Sequence, residues 1–396
     1  MVFMFFGKKT KNPTKYYNKN SVLLLNRDRL KTYQRINLTM EHIFKDLKVV
    51  ELASVLAGPA VGLFFAELGA EVIKIENKKT GGDVTRTWRL PSEDKTASVS
   101  AYYCAINWNK EVHFLDLSTQ EGKDAVYELV KEADVVVANY KKQSAKKLGM
   151  DYERLKTMRP DLIYANISGF GEESERVAFD VVLQAESGFM YMNGQPESPP
   201  TKMPVALIDV LAAHQLKEGI LVALLQRYKT GKGAHVSVSL LEAAVASLAN
   251  QATNWLMGKH IPQRMGSLHP NIAPYGELFE TKDEKLLILS IGSDRQFLAL
   301  CTCLDRPDLL ANAGYKTNIE RVKNRLVLAE ELRASFKNLA SKDILERCHQ
   351  QFVPIGQVRN MQEVFEQPSA EQMILEETID GLSTKRVRTA AFKIEG

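Results

Sequence analysis

Between Leu47 and Gly171 two kinds of apolar segment take turns, and that alternation limits the possible folds more than any other feature of the chain. Lys48 to Leu52 reads as a strand. Pro59 opens a helix whose apolar face uses Val61, Leu63, Phe64, Phe65 and Leu68, and Gly69 stops it. Glu71 to Glu76 is a second strand and Val112 to Leu117 a third. Ser118 with Glu121 then forms a capping box for a helix reaching Ala133. Asp134 to Asn139 is apolar without alternation, as a strand covered on both faces should be. A helical stretch around Leu155 leads to the strand Leu162 to Ser168, which runs into Gly169-Phe170-Gly171. Strands separated by helices at this spacing predict an α/β fold with a mostly parallel, doubly wound sheet. Ligands are expected at the carboxyl ends of its strands.

Further along, Val205 to Ile208 reads as a short buried segment. It is followed by a long helix carrying Leu211, Leu216, Ile220, Leu221, Leu224 and Leu225, which closes at Lys229-Thr230-Gly231. Asp209 is expected at the joint, as the last residue before the helix. Its carboxylate would face the free N–H groups of the first turn and stay ionised at neutral pH. An aspartate there is first of all a helix cap; a nucleophilic role needs support from elsewhere in the chain. Ala234 to Ser239 is the next strand and Leu240 to Trp255 the next helix, and residues 258–274, punctuated by Gly and Pro, read as a linker. Glu277 to Glu280 and Leu286 to Ser290 flank a hairpin turn. Helices are expected at Arg295 to Leu304, Asn318 to Leu339 and Lys342 to Gln350, so a smaller α+β domain follows the linker.

Charge and composition exclude several functions. The chain of 396 residues has a net charge of +4. Residues 1–39 hold nine basic side chains against Asp28, a net of +8, so the remainder carries −4. An acidic body argues against nucleic acid as a partner. No apolar run reaches the roughly 18 residues of a membrane span. The four cysteines, Cys104, Cys301, Cys303 and Cys348, show no C-x-x-C spacing, and no two of the seven histidines form H-x-x-x-H. Buried free thiols in a reducing cytoplasm are expected, and no metal site. The basic segment 1–39 lacks the order of a secretory signal. It is read as a disordered or dispensable extension, with Met40 as a working start.

Two further features bear on a ligand. Glu76 at the end of a β-α-β unit invites a dinucleotide reading, but Gly58 stands alone in the loop and Pro59 removes an N–H that a pyrophosphate would need. The loop after Asn139 carries Lys141, Lys142, Lys146 and Lys147. These lysines form either a solvated face or, at the end of a parallel strand, a phosphate contact.

With these residues in view the chain resembles the class III coenzyme A transferases, the formyl-CoA and crotonobetainyl-CoA:carnitine transferase family that also includes α-methylacyl-CoA racemases. The resemblance covers Leu47 to Ile374. It rests on Leu-Ala-Gly-Pro (56–59), Leu-Gly-Ala-Glu-Val-Ile-Lys-Ile-Glu (68–76), Gly-Gly-Asp-Val-Thr-Arg-Thr-Trp (81–88), Asn-Trp-Asn-Lys (107–110), Ile-Ser-Gly-Phe-Gly (167–171), Lys-Thr-Gly-Lys-Gly (229–233) and His-Pro-Asn-Ile-Ala-Pro-Tyr (269–275). It implies a homodimer of interlocked rings, each with a Rossmann-like large domain of residues 40–245 and 350–396, and a linker with a small α+β domain at 246–349. Because the chain ends at Gly396, short of the family's usual tail, a shortened ring closure is expected.

The same resemblance makes Asp209 the nucleophile of a CoA transfer from an acyl-CoA to a carboxylic acid. The intermediates would be an aspartyl anhydride and an aspartyl-CoA thioester, with CoA as substrate and no permanently bound cofactor. It assigns CoA contacts to Leu56, Ala57, Leu115, Asp116, Leu117, Ser118, Asn139, Tyr140 and Lys147. The family's arginine after Lys-Ile-Glu is Asn77 here, so the charge falls to Lys78 or Lys79. A lid near Gly266 is implied, with one glycine where relatives have several. Two alternatives stay open: a racemase, for which Phe179 stands where a proton-transferring histidine is required, and a CoA-binding paralogue without catalysis. Asp180 and His214 are the remaining acid–base candidates, and Glu186 either lines an acyl pocket or is solvated.

Overall fold

The structure is a computed structural model and describes residues 42–394; the basic extension expected at 1–39 lies outside them. Six strands, β1 (Lys48–Leu52), β2 (Glu71–Asn77), β3 (Glu111–Leu115), β4 (Val135–Ala138), β5 (Ile163–Ser168) and β6 (Ala234–Ser239), form one sheet in the order β3-β2-β1-β4-β5-β6. Every neighbouring pair is parallel. The order reverses between β1 and β4, and the crevice at such a reversal is where doubly wound sheets bind ligands.

Alternate residues of the central strands feed two cores. Val49, Val72, Val135, Val137, Ile163 and Ala165 pack under α1 (Ala57–Glu67). Val50, Leu52, Ile73, Ile75 and Val136 pack on the opposite face. The short α2 (Ala101–Cys104) lies between β2 and β3, and α3 (Gln120–Glu132) covers that opposite face with Val126 and Val130. Helix α3 is capped by Thr119, whose side chain accepts from Gly122 N, and not by Ser118. The Ser118 hydroxyl is instead taken by Asp116, to which it donates at 2.7 Å. Short helices α4 (Lys142–Leu148) and α5 (Tyr152–Leu155) precede β5, and α6 (Asp180–Glu186) and α7 (Phe189–Met192) follow it.

The long helix α8 (Leu207–Thr230) lies against α1 and fills the first core with Ile208, Ala212, Ala213, Leu216 and Ile220. It ends at Gly231 (φ +70), as its Lys-Thr-Gly signal requires. Its start differs from expectation. The helix begins at Leu207, so Asp209 is its third residue, and Val205 is exposed. After β6 the expected single helix is two, α9 (Leu240–Ala246) and α10 (Asn250–Gly258), broken where Ala249 takes φ +49.

A second layer has β7 (Tyr275–Glu280), β8 (Leu286–Ser290) and β9 (Ile355–Gln357) in an antiparallel sheet. Five helices accompany it: α11 (Asp294–Cys303), α12 (Pro307–Ala311), α13 (Asn318–Lys323), α14 (Arg325–Phe336) and α15 (Ser341–Gln350). Phe279, Leu289, Leu300, Leu332, Phe336 and Ile344 form its core. The expected helix from Asn318 to Leu339 is interrupted at Asn324. A terminal hairpin, β10 (Ile374–Ile379) and β11 (Leu382–Val387), returns to the first layer. There Arg386 pairs with the buried Glu67, whose carboxylate also accepts from the backbone of Thr389 and Ala390.

Candidate active site

The loop between β1 and α1 organises the site. Ser54 is tied to the end of β4, since Asn139 Oδ1 accepts from its N–H at 3.2 Å and Asn139 Nδ2 donates to its carbonyl at 2.8 Å. Val55 N donates to Asp83 Oδ2 at 3.2 Å. Held from both sides, Val55 adopts φ +74, a conformation that a β-branched residue takes only when its surroundings force it.

Beneath that loop lies a buried ion network. Lys74 donates to Glu51 at 2.9 Å and to the Ala53 carbonyl at 2.8 Å, and pairs with Asp83 at 3.1 Å. Lys110 reaches the other oxygen of Glu51 at 2.8 Å and the Pro59 carbonyl at 2.8 Å. Burial works to raise the Glu51 pKa, but the two ammonium groups outweigh it and hold the carboxyl below its ordinary range. Burial, with Lys74 adding to it, brings Lys110 down to about 8. Gly62 makes the arrangement possible, because a Cβ there would stand 2.0 Å from Glu51 Oε2.

Two cavities meet at the strand ends. One, of about 200 Å³, is lined by the 54–57 loop, Asn139, Tyr140, the 166–169 end of β5, Phe179 and Asp209. The other, of about 620 Å³, is lined by Lys79, Gly82, Asp83 and Leu115 to Ser118. Ser54 and Tyr140 belong to both, so the two spaces share a wall.

Asp209 differs from its expected state. No hydrogen bond reaches its carboxylate among the described residues, and burial, with the Asp180 charge adding to it, raises its pKa to about 7. The first turn of α8 is satisfied by Asp180, whose Oδ1 accepts from Ile208 N at 2.7 Å. Asp180 thus does the capping expected of Asp209, and Asp209 is left over to face the cavity.

The remaining candidates divide cleanly. Leu56, Ala57, Asn139 and Tyr140 share Asp209's cavity, and Leu115, Asp116, Leu117 and Ser118 line the larger one. Lys79 lines that larger cavity too, with Nζ 2.6 Å from Ser118 Oγ and 3.0 Å from Asp116 Oδ2; Lys78 does not line it. Lys147 is exposed on α4 and lines neither space. Lys141 and Lys142 are engaged by the 173–175 segment, through the Glu175 carbonyl and the Glu173 carboxylate. His214 is absent from the Asp209 cavity, and so is Glu186, which instead grips Arg176, a residue that does line it. Gly266 donates to the Gly194 carbonyl at 2.8 Å and lines neither cavity. Sequence reasoning missed Arg176, whose partners Phe170 and Glu186 are nearby in the chain, and Asp83 and the capping role of Asp180, whose partners Val55 and Ile208 lie 28 residues away.

Residues 44–395 match the sequence profile of CoA-transferase family III. The chain belongs to CoA-transferase family III. It is 38% identical over 352 residues to the succinate–glutarate CoA-transferase of Agrobacterium fabrum, covering 87% of each chain. To the human succinyl-CoA:glutarate CoA-transferase it is 35% identical over 325 residues, 81% of this chain and 73% of that one. A CAIB/BAIF family protein from Brucella suis has the same fold in its crystal structure, with a TM-score of 0.79 at 37% identity over 89% of this chain and 93% of that one. As a family III transferase the protein moves CoA between acyl-CoA thioesters and carboxylic acids.

Proposed function

We propose that Asp209 is the nucleophile of this transfer and that the substrates are short dicarboxylic acids and their CoA thioesters. The observation that carries the first part is the joined pair of cavities. A free carboxylate sits in the smaller, while the larger offers the cationic Lys79 at the strand ends. A long thioester laid across the shared wall at Ser54 and Tyr140 would put its nucleotide by Lys79 and Leu115 to Ser118, and its carbonyl by Asp209.

The carboxylate attacks the thioester carbonyl and expels CoA thiolate, leaving a mixed anhydride. The thiolate then attacks the aspartyl carbonyl, releases the donor acid and leaves an aspartyl-CoA thioester. Acceptor carboxylate repeats the two steps in reverse. Each step exchanges one activated acyl group for another, so the enzyme needs only a dry, positioned nucleophile. Phe179, in the wall of the same cavity, disfavours the racemase alternative, because it carries no proton to transfer. Incubating the protein with succinyl-CoA and then hydroxylamine, with peptide mapping, is the test: a hydroxamate is expected at Asp209, and one elsewhere, or none, rejects the assignment.

The pKa of Asp209 sets a pH dependence. Attack requires the ionised form, so kcat/KM for the acyl-CoA should climb through about pH 7 and level off above it. Asp180→Asn keeps an oxygen for Ile208 N and removes the repelling charge, so it favours ionisation of Asp209. The limb should therefore move to lower pH; a limb that stays in place refutes the coupling.

Lys79 is the proposed phosphate contact, with Lys78 and Lys147 outside the cavity. Lys79→Ala should raise KM for acyl-CoA about tenfold, the loss of one charge-assisted contact, while Lys147→Ala shifts it less than about twofold. Equal effects from the two would return the role to α4.

The interlocked homodimer and the division into domains at 40–245 with 350–396 and at 246–349 belong to the same reading. It is supported by apolar surface that a lone chain leaves open, including Val222 and Tyr228 of α8 and Leu256 and Met257 of α10. Four buried free thiols suit a cytoplasmic setting. No helix among the described residues is long and apolar enough to cross a membrane.

A further inference from the structure

We infer that Arg176 is the specificity residue that receives the second carboxylate of a dicarboxylic acid held at Asp209; this rests on the CoA-transfer reading above. Three cations line the Asp209 cavity, Lys141, Lys142 and Arg176. Two of them are drawn toward the turn after β5: Lys141 donates to the Glu175 carbonyl, and Lys142 is paired with Glu173. Arg176 is placed differently. Its guanidinium lies 3.6 Å from the centroid of the Phe170 ring, which fixes its plane. Glu186 of α6 holds one end through Nη2, and among the described residues no hydrogen bond is made by Nε or Nη1. A planar fork oriented by a ring, with donors to spare, suits a carboxylate, and a flexible ammonium is a poorer match.

Arg176 is also held in a fixed relation to the nucleophile. Three residues separate it from Asp180, whose carboxylate is bonded to Ile208 N in the turn that carries Asp209. Between them Val177, Ala178 and Phe179 form the cavity wall. An acid with a single carboxylate would occupy Asp209's end and leave the guanidinium unused. A diacid engages both ends, and the same subsite serves the free carboxylate of the donor's acyl group and that of the acceptor.

The test compares two acceptors of equal length, glutarate and pentanoate, with succinyl-CoA as donor. The wild type is expected to favour glutarate in kcat/KM. Arg176→Gln should shrink that preference about a hundredfold, and Arg176→Lys, which keeps the charge without the fork, by an intermediate factor. Circular dichroism and CoA binding of both variants are expected to match the wild type, since the side chain is exposed. A preference that survives Arg176→Gln, or a wild type that accepts both acids equally, overturns the inference while leaving CoA transfer intact. A wild type that transfers CoA to neither acid, nor to succinate in exchange, overturns the transfer reading and this inference with it.

Discussion

Asp209→Ala is expected to abolish CoA exchange, lowering kcat by at least about 10⁴-fold, because no other side chain in the cavity offers an unengaged carboxylate for the proposed covalent step. Glu172, the other acid in the cavity wall, is engaged by His235 at 3.1 Å. Isotope exchange between labelled succinate and succinyl-CoA is the cleanest measurement, since it needs only the first half of the cycle. Activity within tenfold of wild type sinks the mechanism.

A second readout separates a nucleophile from a passive cap. The folded-state pKa of Asp209, about 7, lies above the ordinary aspartate value of 3.8. Its cost to the fold is therefore absent at low pH, grows as pH rises between those two values, and is complete above about 7. Asp209→Asn should raise the melting temperature at pH 8, by an amount reflecting no more than a few kcal/mol, and change it little at pH 4. An aspartate that capped its helix would behave in the opposite way, destabilising the protein when removed.

The other large effect belongs to Glu51. It is fully buried between Lys74 and Lys110, so Glu51→Ala strands the Lys110 ammonium in the interior, leaves Lys74 with Asp83 as its one carboxylate, and opens a hole beside Gly62. Breaking a buried pair by removing one member costs about 3–5 kcal/mol, and that loss is expected in urea unfolding. Adding Lys110→Met should restore part of it, because the second change removes an uncompensated charge. A loss below about 1 kcal/mol would mean that the network is not what holds the 54–57 loop.

Much of this was legible in the sequence because burial on both faces writes itself as an unbroken apolar run. Val135 to Ala138 is the plainest case, and the alternation of strands with helices led directly to a parallel sheet. Leu56, Asn139 and Leu115 to Ser118 were pointed to by the family resemblance, and they line the cavities at the ends of those strands. What stayed hidden depends on partners distant in the chain. The start of α8 is set by Asp180, 28 residues earlier, and no local signal says that Asp209 need not cap. Ser118 and Thr119 are adjacent hydroxyls, and Asp116 decides which is free to cap α3. Lys78 and Lys79 share one turn, and only the pull of Asp116 and Ser118 distinguishes them. The break at Ala249 has neither glycine nor proline to announce it.

The loop from Ser54 to Ala57 does double duty, walling the proposed reactive chamber while Ser54 also borders the cavity proposed for the nucleotide. An engineer wishing to retune acyl choice at this loop would therefore disturb thiol affinity as well, and the reverse holds. Phe179 and Arg176, which touch only the reactive chamber, are where the two traits come apart, so diversification of substrate range should start there.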